Sequence, residues 1–351
     1  MIELVRLSEE RKMNIDFVVP WVDGNDHNWQ RKKAMYVTQG IETASFCAAR
    51  YRDWNMFNYW FRAVEKNAPW VRYIYLVTDH QVPAFLKTDH PKLKIVFHDE
   101  FIPEKYLPVF SSRSIELNFH RLPGLSEHFV YFNDDMYINK PMKPEDFFRK
   151  GRPCYAYIER PLTPYWPVDI IQSAVINEMA VINRHFSRDS ILKRPWLYLN
   201  YRYGKHAIKN ALLLPWRKFQ HFEDDHMPCP YLKSTFEEVW AHAQDVLDAT
   251  CRHRFRNRED VNQFIFRYWA LASGNFSPIY REPGYYSLNP HNVQEAVDDI
   301  IRGSHAMICI NDSYSDEYEL LSQTIRNAFQ KRYPNPSSFE LSEMGAGENH
   351  D

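Results

Sequence analysis

The sequence lacks long hydrophobic runs. Although 44% of its 351 residues are hydrophobic, the longest apolar stretches are residues 17–22 and 211–216, whereas a membrane-spanning helix needs about 20 apolar residues. The first thirteen residues carry six charged side chains and no apolar segment, unlike a secretory signal peptide. We therefore expect neither a membrane span nor a secretory leader.

Paired cysteines and basic stripes are missing as well. The five cysteines are odd in number and never spaced as Cys-x-x-Cys, which argues against a disulfide framework and a zinc cluster and favours a reducing compartment. A net charge of −2 without a long basic stripe gives no reason to expect nucleic acid as a partner. Aromatic residues are abundant at 16%, which weakly favours a sugar or nucleotide ligand, although an aromatic core explains them equally well.

The first part of the chain alternates between strand and helix patterns. Residues 15–19, 71–77, 93–97 and 128–132 read as short buried strands, and residues 54–66 read as an amphipathic helix with Asp53 as its N-cap. Such alternation predicts an α/β fold with a Rossmann-like, mostly parallel sheet.

After residue 150 the pattern becomes mainly helical. We predict a nucleotide-sugar-binding α/β lobe over 13–150 and a mainly helical lobe over 151–333 that completes the active site. A Ser-, Glu- and Gly-rich tail follows at 334–351, which we expect to fray, with docking of Phe339 and Leu341 as the alternative.

Acidic residues follow each predicted strand. Asp23 comes after the first strand, Asp79 after the second, Asp99 after the third, and Asp134 with Asp135 after the fourth. Because parallel strands end at one edge of a sheet, where ligands bind, we expect these carboxylates to meet there. A helix cap or a turn explains any single one of them, but explains the set less well.

Three further features carry chemistry. His226 precedes a loop stiffened by Pro228 and Pro230, and histidine is the usual general base near neutral pH. The basic run 254–260 suits a phosphate, although a solvated surface is the common explanation for such runs. Asp312 ends a short apolar strand, where a turn is the default interpretation.

Taken in order, four blocks of the sequence resemble the stealth proteins, which are bacterial capsular polysaccharide hexose-1-phosphate transferases. The animal relative of this family is the catalytic subunit of N-acetylglucosamine-1-phosphotransferase. The blocks are residues 15–26, 50–135, 226–231 and 309–312, so the resemblance spans nearly the whole chain.

The resemblance implies transfer of hexose-1-phosphate from a UDP-hexose or UDP-N-acetylhexosamine to an acceptor hydroxyl, with release of UMP. It implies Mg²⁺ or Mn²⁺ as cofactor and a saccharide or polyol phosphate as acceptor, in capsular or cell-surface polysaccharide synthesis. It also implies a cytoplasmic enzyme that can associate with membrane-bound capsule machinery at the inner face of the plasma membrane.

The resemblance also assigns residues. His226 would be the base; the acidic and metal-binding residues would be Asp134, Asp135 and Asp312; phosphate would be bound by Arg256 or Arg254; and the nucleotide-sugar site would include Asp23, Asn25, Arg52 and Asp79. The alternatives are a metal-dependent glycosyltransferase that transfers only the sugar and releases UDP, and a carbohydrate-binding scaffold protein without activity.

Overall fold

The structure is a computed structural model and describes residues 13–37, 52, 54–313 and 315–342. The strands are β1 (Ile15–Pro20), β2 (Ile74–Thr78), β3 (Leu93–Phe97), β4 (His128–Tyr131), β5 (Met136–Ile138), β6 (Phe148–Arg149), β7 (Arg152–Tyr155), β8 (Glu159–Arg160), β9 (His221–Phe222), β10 (Cys229–Leu232), β11 (Ser277–Pro278), β12 (Gly284–Leu288) and β13 (Met307–Asp312). The helices are α1 (His27–Ala34), α2 (Phe57–Asn67), α3 (His98–Phe101), α4 (Ser112–Glu116), α5 (Pro144–Phe147), α6 (Ile170–His185), α7 (Asp189–Leu192), α8 (Pro195–Tyr198), α9 (His206–Leu212), α10 (Lys233–His242), α11 (Gln244–Arg252), α12 (Phe264–Ser273), α13 (Val293–Arg302) and α14 (Tyr318–Arg332). Three described 3-10 helices cover Glu104–Tyr106, Phe119–Arg121 and Tyr201–Tyr203.

The central sheet has five strands among the described residues, in the order β10-β4-β1-β2-β3. The four strands predicted from the sequence are parallel to one another, and β10 joins the edge antiparallel to β4. An edge position suits β10 because its Pro230 has no backbone N–H to donate to a further strand. The predicted α/β fold with a mostly parallel sheet is confirmed.

Both faces of this sheet are buried. In β1, the side chains of Phe17 and Val19 enter one apolar core, and that of Val18 enters the other. Strand side chains alternate between faces, so a strand covered on both sides reads as a continuous apolar run. One core includes residues of α6 and α10–α12, and the other includes residues of α2, α13 and α14. Both cores combine residues from either side of position 150, and the predicted lobe boundary there stays a prediction.

Two local predictions need correction. The helix predicted over 54–66 begins at Phe57, because Asn55 has a left-handed backbone with φ 53° that a right-handed helix cannot include. The proposed N-cap Asp53 lies outside the described residues. The strand predicted from residue 71 begins at Ile74, after Val71 has closed a turn onto the carbonyl of Ala68.

The described part of the C-terminal tail is docked. Phe339 is buried beside Phe61, with ring centroids 5.4 Å apart. Glu340 is ion-paired with Arg62 at 2.6 Å, and the N–H of Leu341 donates to the carbonyl of Phe85. The tail therefore adds to the core beside α2.

A smaller sheet completes the scaffold beside the carboxyl end of β4. Its order is β12-β13-β5, with β13 antiparallel to β5 and parallel to β12. Because β5 follows β4 after a short turn, this turn connects the two sheets.

Candidate active site

The turn between β4 and β5 contains Asn133, Asp134 and Asp135, and it lies between two antiparallel pairings. On one side, Cys229 of β10 is opposite Tyr131 of β4. His226 is three residues before Cys229, and Asp134 is three residues after Tyr131. Because the two strands are antiparallel, His226 lies beside the acidic turn. The Nε2 atom of His226 lies 4.0 Å from Oδ2 of Asp135. Antiparallel pairing thus places the histidine beside the acids.

On the other side of the turn, β13 pairs with β5. Cys309 is opposite Met136, and the N–H of Ile310 donates to the carbonyl of Asp135 at 2.9 Å. The strand ends two residues later at Asp312. Three segments far apart in the chain therefore meet at the acidic turn.

These residues line one cavity of about 530 Å³. It holds six of the ten site residues predicted from the sequence: Arg52, Asp134, Asp135, His226, Arg256 and Asp312. Its aromatic lining includes Trp21, Trp29, Trp54, Phe57 and Phe110. A cavity with two arginines, three acids and aromatic walls has the side chains to hold a charged, partly aromatic ligand.

Asp135 is the most confined of the acids. Its Oδ1 atom is buried and has no hydrogen-bond partner among the described residues. Oδ2 accepts a bond from the thiol of Cys309, whose sulfur is 3.4 Å away. Burial raises the pKa of the Asp135 carboxyl above its usual range, against the opposing effects of His226 and Cys309. The ionised carboxylate therefore lacks part of the compensation that a buried charge needs.

A divalent cation would supply that compensation. Atoms of Asp135, His226 and Cys309 that could bind a metal lie within 4.8 Å of one another. Burial raises the pKa of the Cys309 thiol well above its ordinary value, so Cys309 acts here as a neutral donor to Asp135. Mg²⁺ and Mn²⁺ prefer carboxylate oxygens, and the buried oxygen of Asp135 fits that preference.

Asp312 is fixed by two residues that precede α2. The indole Nε1 of Trp54 donates to its Oδ2 at 3.3 Å, and a guanidinium nitrogen of Arg52 lies 3.5 Å from the same oxygen. The Arg52 guanidinium also lies over the ring of Tyr318, 4.2 Å from its centroid. These contacts orient both charged side chains at the wall of the cavity.

Arg256 lies on a loop before α12, and the buried carboxylate of Asp260 stabilises this loop. Asp260, fully buried, accepts bonds of 2.7 Å from the backbone N–H of Asn257 and from Nδ1 of His253. Arg256 donates to the hydroxyl of Ser112 at 3.1 Å. In contrast, the guanidinium of Arg254 lies over the ring of Tyr36 at 4.8 Å. Of these two arginines, only Arg256 is among the described residues that line the cavity.

The other predicted site residues lie near the same sheet edge but do not line the cavity. Asp23 accepts the N–H of Asn25 at 2.8 Å, which forms a local turn, and Asn25 is exposed. Asp79 is ion-paired with Lys32 at 2.8 Å. Asp99, after β3, faces His80 at 3.1 Å. The parallel sheet brings the strand ends to one edge as expected, but the side chains of Asp23, Asp79 and Asp99 are bound to neighbours outside the cavity lining. The predicted roles of Asp23, Asn25, Asp79 and Arg254 stay predictions.

The backbone of His226 is held in an unusual conformation. Its φ is +46°, in the left-handed region that residues with a side chain rarely adopt, and such conformations persist where the surroundings hold them. The ring of Tyr285 lies edge-on to the imidazole, with centroids 6.0 Å apart.

A buried arginine holds the segment just before His226. One guanidinium nitrogen of Arg267, on α12, lies 3.5 Å from carboxylate oxygens of both Asp224 and Asp225. Asp224 also accepts a hydrogen bond from the hydroxyl of Tyr268. Sequence reasoning assigned no role to Arg267, Tyr285, Trp54 and Cys309, because their contacts to the site are long-range. Trp54 and Cys309 lie within the blocks that carry the resemblance, whereas Arg267 and Tyr285 lie outside them.

Comparison with known proteins agrees with the resemblance. Models of three conserved regions of stealth proteins match the chain: region 1 at residues 13–40, region 2 at 50–154 and region 4 at 298–349. The exopolysaccharide phosphotransferase cps2G of Lactiplantibacillus plantarum is 40% identical over 331 residues, covering 93% of this chain and 96% of the relative. The chain belongs to the stealth family.

Other relatives have similar names. The receptor polysaccharide phosphotransferase WefC of Streptococcus oralis is 41% identical over 336 residues, with 93% of this chain and 99% of the relative covered. The capsular polysaccharide phosphotransferase WcwK of Streptococcus pneumoniae is 39% identical over 329 residues, with 93% and 98% covered. The acidic turn of this stealth protein lies inside the matched region 2, and Asp312 lies inside region 4.

Solved structures are more distant. The bifunctional glycosyltransferase WbbM has a TM-score of 0.39 and 11% identity, with 92% of this chain and 52% of that chain covered. The galactosyltransferase LgtC has a TM-score of 0.34 and 10% identity, with 95% and 99% covered. Both TM-scores are too low to support a functional comparison.

We predict that Arg267 positions His226 without contacting substrate. Arg267→Met should lower kcat between about ten- and a hundredfold with little change in the KM of the donor, because the base is displaced and the donor site is intact. Steady-state kinetics measure kcat and KM of the variant.

Arg267→Lys should restore part of kcat, because an ammonium keeps the charge. The control is Arg160→Met, since Arg160 is exposed and pairs with Glu223, the residue before Asp224. A change in KM with kcat unchanged would contradict the positioning role.

Proposed function

We propose that this stealth-family transferase moves hexose-1-phosphate from a UDP-sugar to an acceptor hydroxyl. The acceptor oxygen attacks the phosphorus that carries the sugar and forms a phosphodiester bond. The bridging P–O bond of the pyrophosphate breaks, and UMP leaves with the electron pair. The proton of the acceptor hydroxyl goes to the neutral imidazole of His226.

The observation that supports this reaction best is the 4.0 Å distance between His226 and Asp135. His226 is the candidate proton acceptor, and Asp135 is the acid best suited to bind a metal ion that in turn binds phosphate. Attack on phosphorus requires a base at the phosphate, since the hydroxyl must lose its proton where the new P–O bond forms. Transfer of the sugar alone would direct the acceptor to the anomeric carbon and release UDP.

The other residues of the cavity have roles that follow from their chemistry. Arg256 and Arg52 would bind phosphate oxygens, because a planar guanidinium can donate two parallel bonds. The indole rings of Trp21, Trp29 or Trp54 would stack on the uracil. Positioning and charge neutralisation of this kind provide most of the catalysis in phosphoryl transfer.

Asp135, together with Asp134 or Asp312, would hold Mg²⁺ or Mn²⁺. Such an ion, when bound, neutralises charge on the pyrophosphate.

The partners and the location belong to the same proposal. The donor is a UDP-hexose or UDP-N-acetylhexosamine, and the acceptor is a saccharide or polyol phosphate of a capsular or other cell-surface polysaccharide. The names of the curated relatives, all polysaccharide phosphotransferases, support this class of product. We place the enzyme in the cytoplasm, at the inner face of the plasma membrane.

The leaving nucleotide tests the reaction directly. Purified protein with a panel of UDP-sugars, Mg²⁺ and an acceptor extract should release UMP, detected by chromatography. A chelator should abolish release, and added Mg²⁺ or Mn²⁺ should restore it, because the buried Asp135 carboxylate needs a counter-charge. Asp135→Asn should lower turnover severely while the circular dichroism spectrum stays unchanged.

Each contrary result has a distinct meaning. UDP in place of UMP would identify an ordinary glycosyltransferase, and full activity in excess chelator would eliminate the metal. If no nucleotide is released from any UDP-sugar, the scaffold alternative gains support.

The second test concerns the base. His226→Ala should lower kcat by about 10²–10⁴-fold, because water is a poor acceptor for the hydroxyl proton. The affinity for UDP-sugar, measured by calorimetry, should change little, since the base contacts the acceptor.

The matched control is His291→Ala, an exposed histidine outside the cavity, which should behave as wild type. If His226→Ala abolishes donor binding and leaves the maximal rate unchanged, His226 belongs to the donor site.

The third test separates the two arginines. Arg256→Lys should raise the KM of the donor about tenfold or more, because an ammonium cannot reproduce the two parallel bonds to phosphate. Arg254→Lys should change it little, since Arg254 stacks on Tyr36 outside the cavity lining. Kinetics with the UDP-sugar measure both variants, and the reverse order would assign the phosphate contact to Arg254.

A further inference from the structure

Residues 189–218 form a helical segment with several exposed apolar side chains, and its exposed side is here called the 189–218 surface. This segment contains the short helices α7, α8 and α9 and the 3-10 helix Tyr201–Tyr203. Five of its apolar side chains are between 51% and 81% exposed: Trp196, Tyr201, Ile208, Leu212 and Trp216. Single exposed apolar residues are ordinary, but a group in one segment indicates an interaction site.

The layer is firmly attached to the core by its inner side. Leu197 and Tyr203 are buried in the core that includes residues of α6 and α10–α12. The Tyr203 hydroxyl donates to the carbonyl of Leu197 at 2.7 Å. On α9, the buried Asn210 donates to the carbonyls of Tyr157 and Tyr198. The outward apolar side chains therefore belong to a packed layer that is fixed from below.

The same surface is strongly basic. Residues 189–218 contain seven Lys and Arg residues and a single acid, Asp189, in a chain whose net charge is −2. All seven basic side chains are exposed, and in the described ranges none of them is ion-paired with a carboxylate. They are spread over thirty residues, so the sequence shows no continuous basic stripe.

On α9 the two properties lie side by side. Ile208 and Leu212 are four residues apart, as are Lys205 and Lys209, and residues with this spacing share a face of a helix. His206 and Asn210 form the buried face. Aliphatic and tryptophan side chains beside flexible lysines suit the boundary between lipid headgroups and acyl chains. A nucleic acid would neutralise the charge of the lysines, but its phosphate backbone would not bury the aliphatic side chains.

We propose that the 189–218 surface docks the protein on an anionic phospholipid bilayer. The lysines and arginines are attracted to the negatively charged headgroups, and Trp196, Ile208, Leu212 and Trp216 enter the headgroup region. No described helix is long and apolar enough to span a membrane, and this surface provides a peripheral attachment.

A second cavity lies behind the buried face of α9. His206, on that face, lies 5.1 Å from the ring of Tyr280 between centroids. Tyr280 lines a cavity of about 390 Å³ that is also lined by Asp225, the residue before His226. The proposed docking does not depend on the reaction catalysed.

Flotation with lipid vesicles tests the proposal. The full-length protein should bind vesicles of phosphatidylglycerol mixed with phosphatidylcholine, and should bind vesicles of phosphatidylcholine alone weakly. Lys205→Glu with Lys209→Glu should weaken binding to the anionic vesicles at least about 25-fold, since each basic residue near such a surface contributes about fivefold.

Ile208→Ser with Leu212→Ser should weaken binding about tenfold or more, and this loss should persist at high salt because it removes apolar burial. The matched control is Leu320→Ser with Lys331→Glu on α14, which changes the same kinds of exposed residue elsewhere and should bind as wild type. Circular dichroism and thermal melting verify that all variants are folded.

Two results would overturn the proposal. One is equal, weak binding of the wild type to anionic and neutral vesicles. The other is wild-type binding by the Ile208→Ser, Leu212→Ser variant together with equal binding of soluble poly-glutamate, which would identify an acidic macromolecule as the partner.

Discussion

The candidate active site depends on antiparallel strand pairing on both sides of one short turn. Asn133, Asp134 and Asp135 connect the central sheet to the small sheet, and β10 and β13 pair with the strands before and after them. The first pairing places His226 level with the turn, and the second places Asp312 there. A slip of one residue in either register would turn the side chains of that strand to the opposite face. The buried ladders of hydrogen bonds therefore fix the distances between the reactive groups.

The charges around this turn are unevenly compensated. Asp260, which holds the loop of Arg256, is fully buried and accepts bonds from both Asn257 and His253. Asp135, in contrast, keeps one buried oxygen without a partner in the described structure. A buried carboxylate whose oxygens all accept hydrogen bonds stabilises a loop. A buried carboxylate with an unsatisfied oxygen is destabilising unless a cation binds to it. The loop of Arg256 is thus held by a fully bonded carboxylate, whereas the cavity contains a carboxylate whose charge is only partly compensated.

Much of the fold could be predicted from the sequence. The run at 15–19 is a strand buried on both faces, and four of its five residues are apolar. The run at 93–97 is the edge strand β3, in which Leu93 and Val96 are buried and Lys94 is exposed. The start of α2 could not be predicted, since the left-handed backbone of Asn55 breaks the pattern that the side chains suggest. The docking of Phe339 was foreseen as an option, and its partners Phe61 and His90 are far away in the chain.

The sequence by itself determined the chemistry that is available: acids after parallel strands, one histidine beside two prolines, and a basic run before Asp260. Only the tertiary structure decided which of these groups act together. Asp79 and Asp134 both follow strands of the same sheet, yet Asp79 is ion-paired with Lys32 and Asp134 lines the cavity. The reason is physical, because the environment of a side chain is set by strands and helices that pack on it from distant parts of the chain. A local pattern specifies a side chain and its backbone, but not these partners.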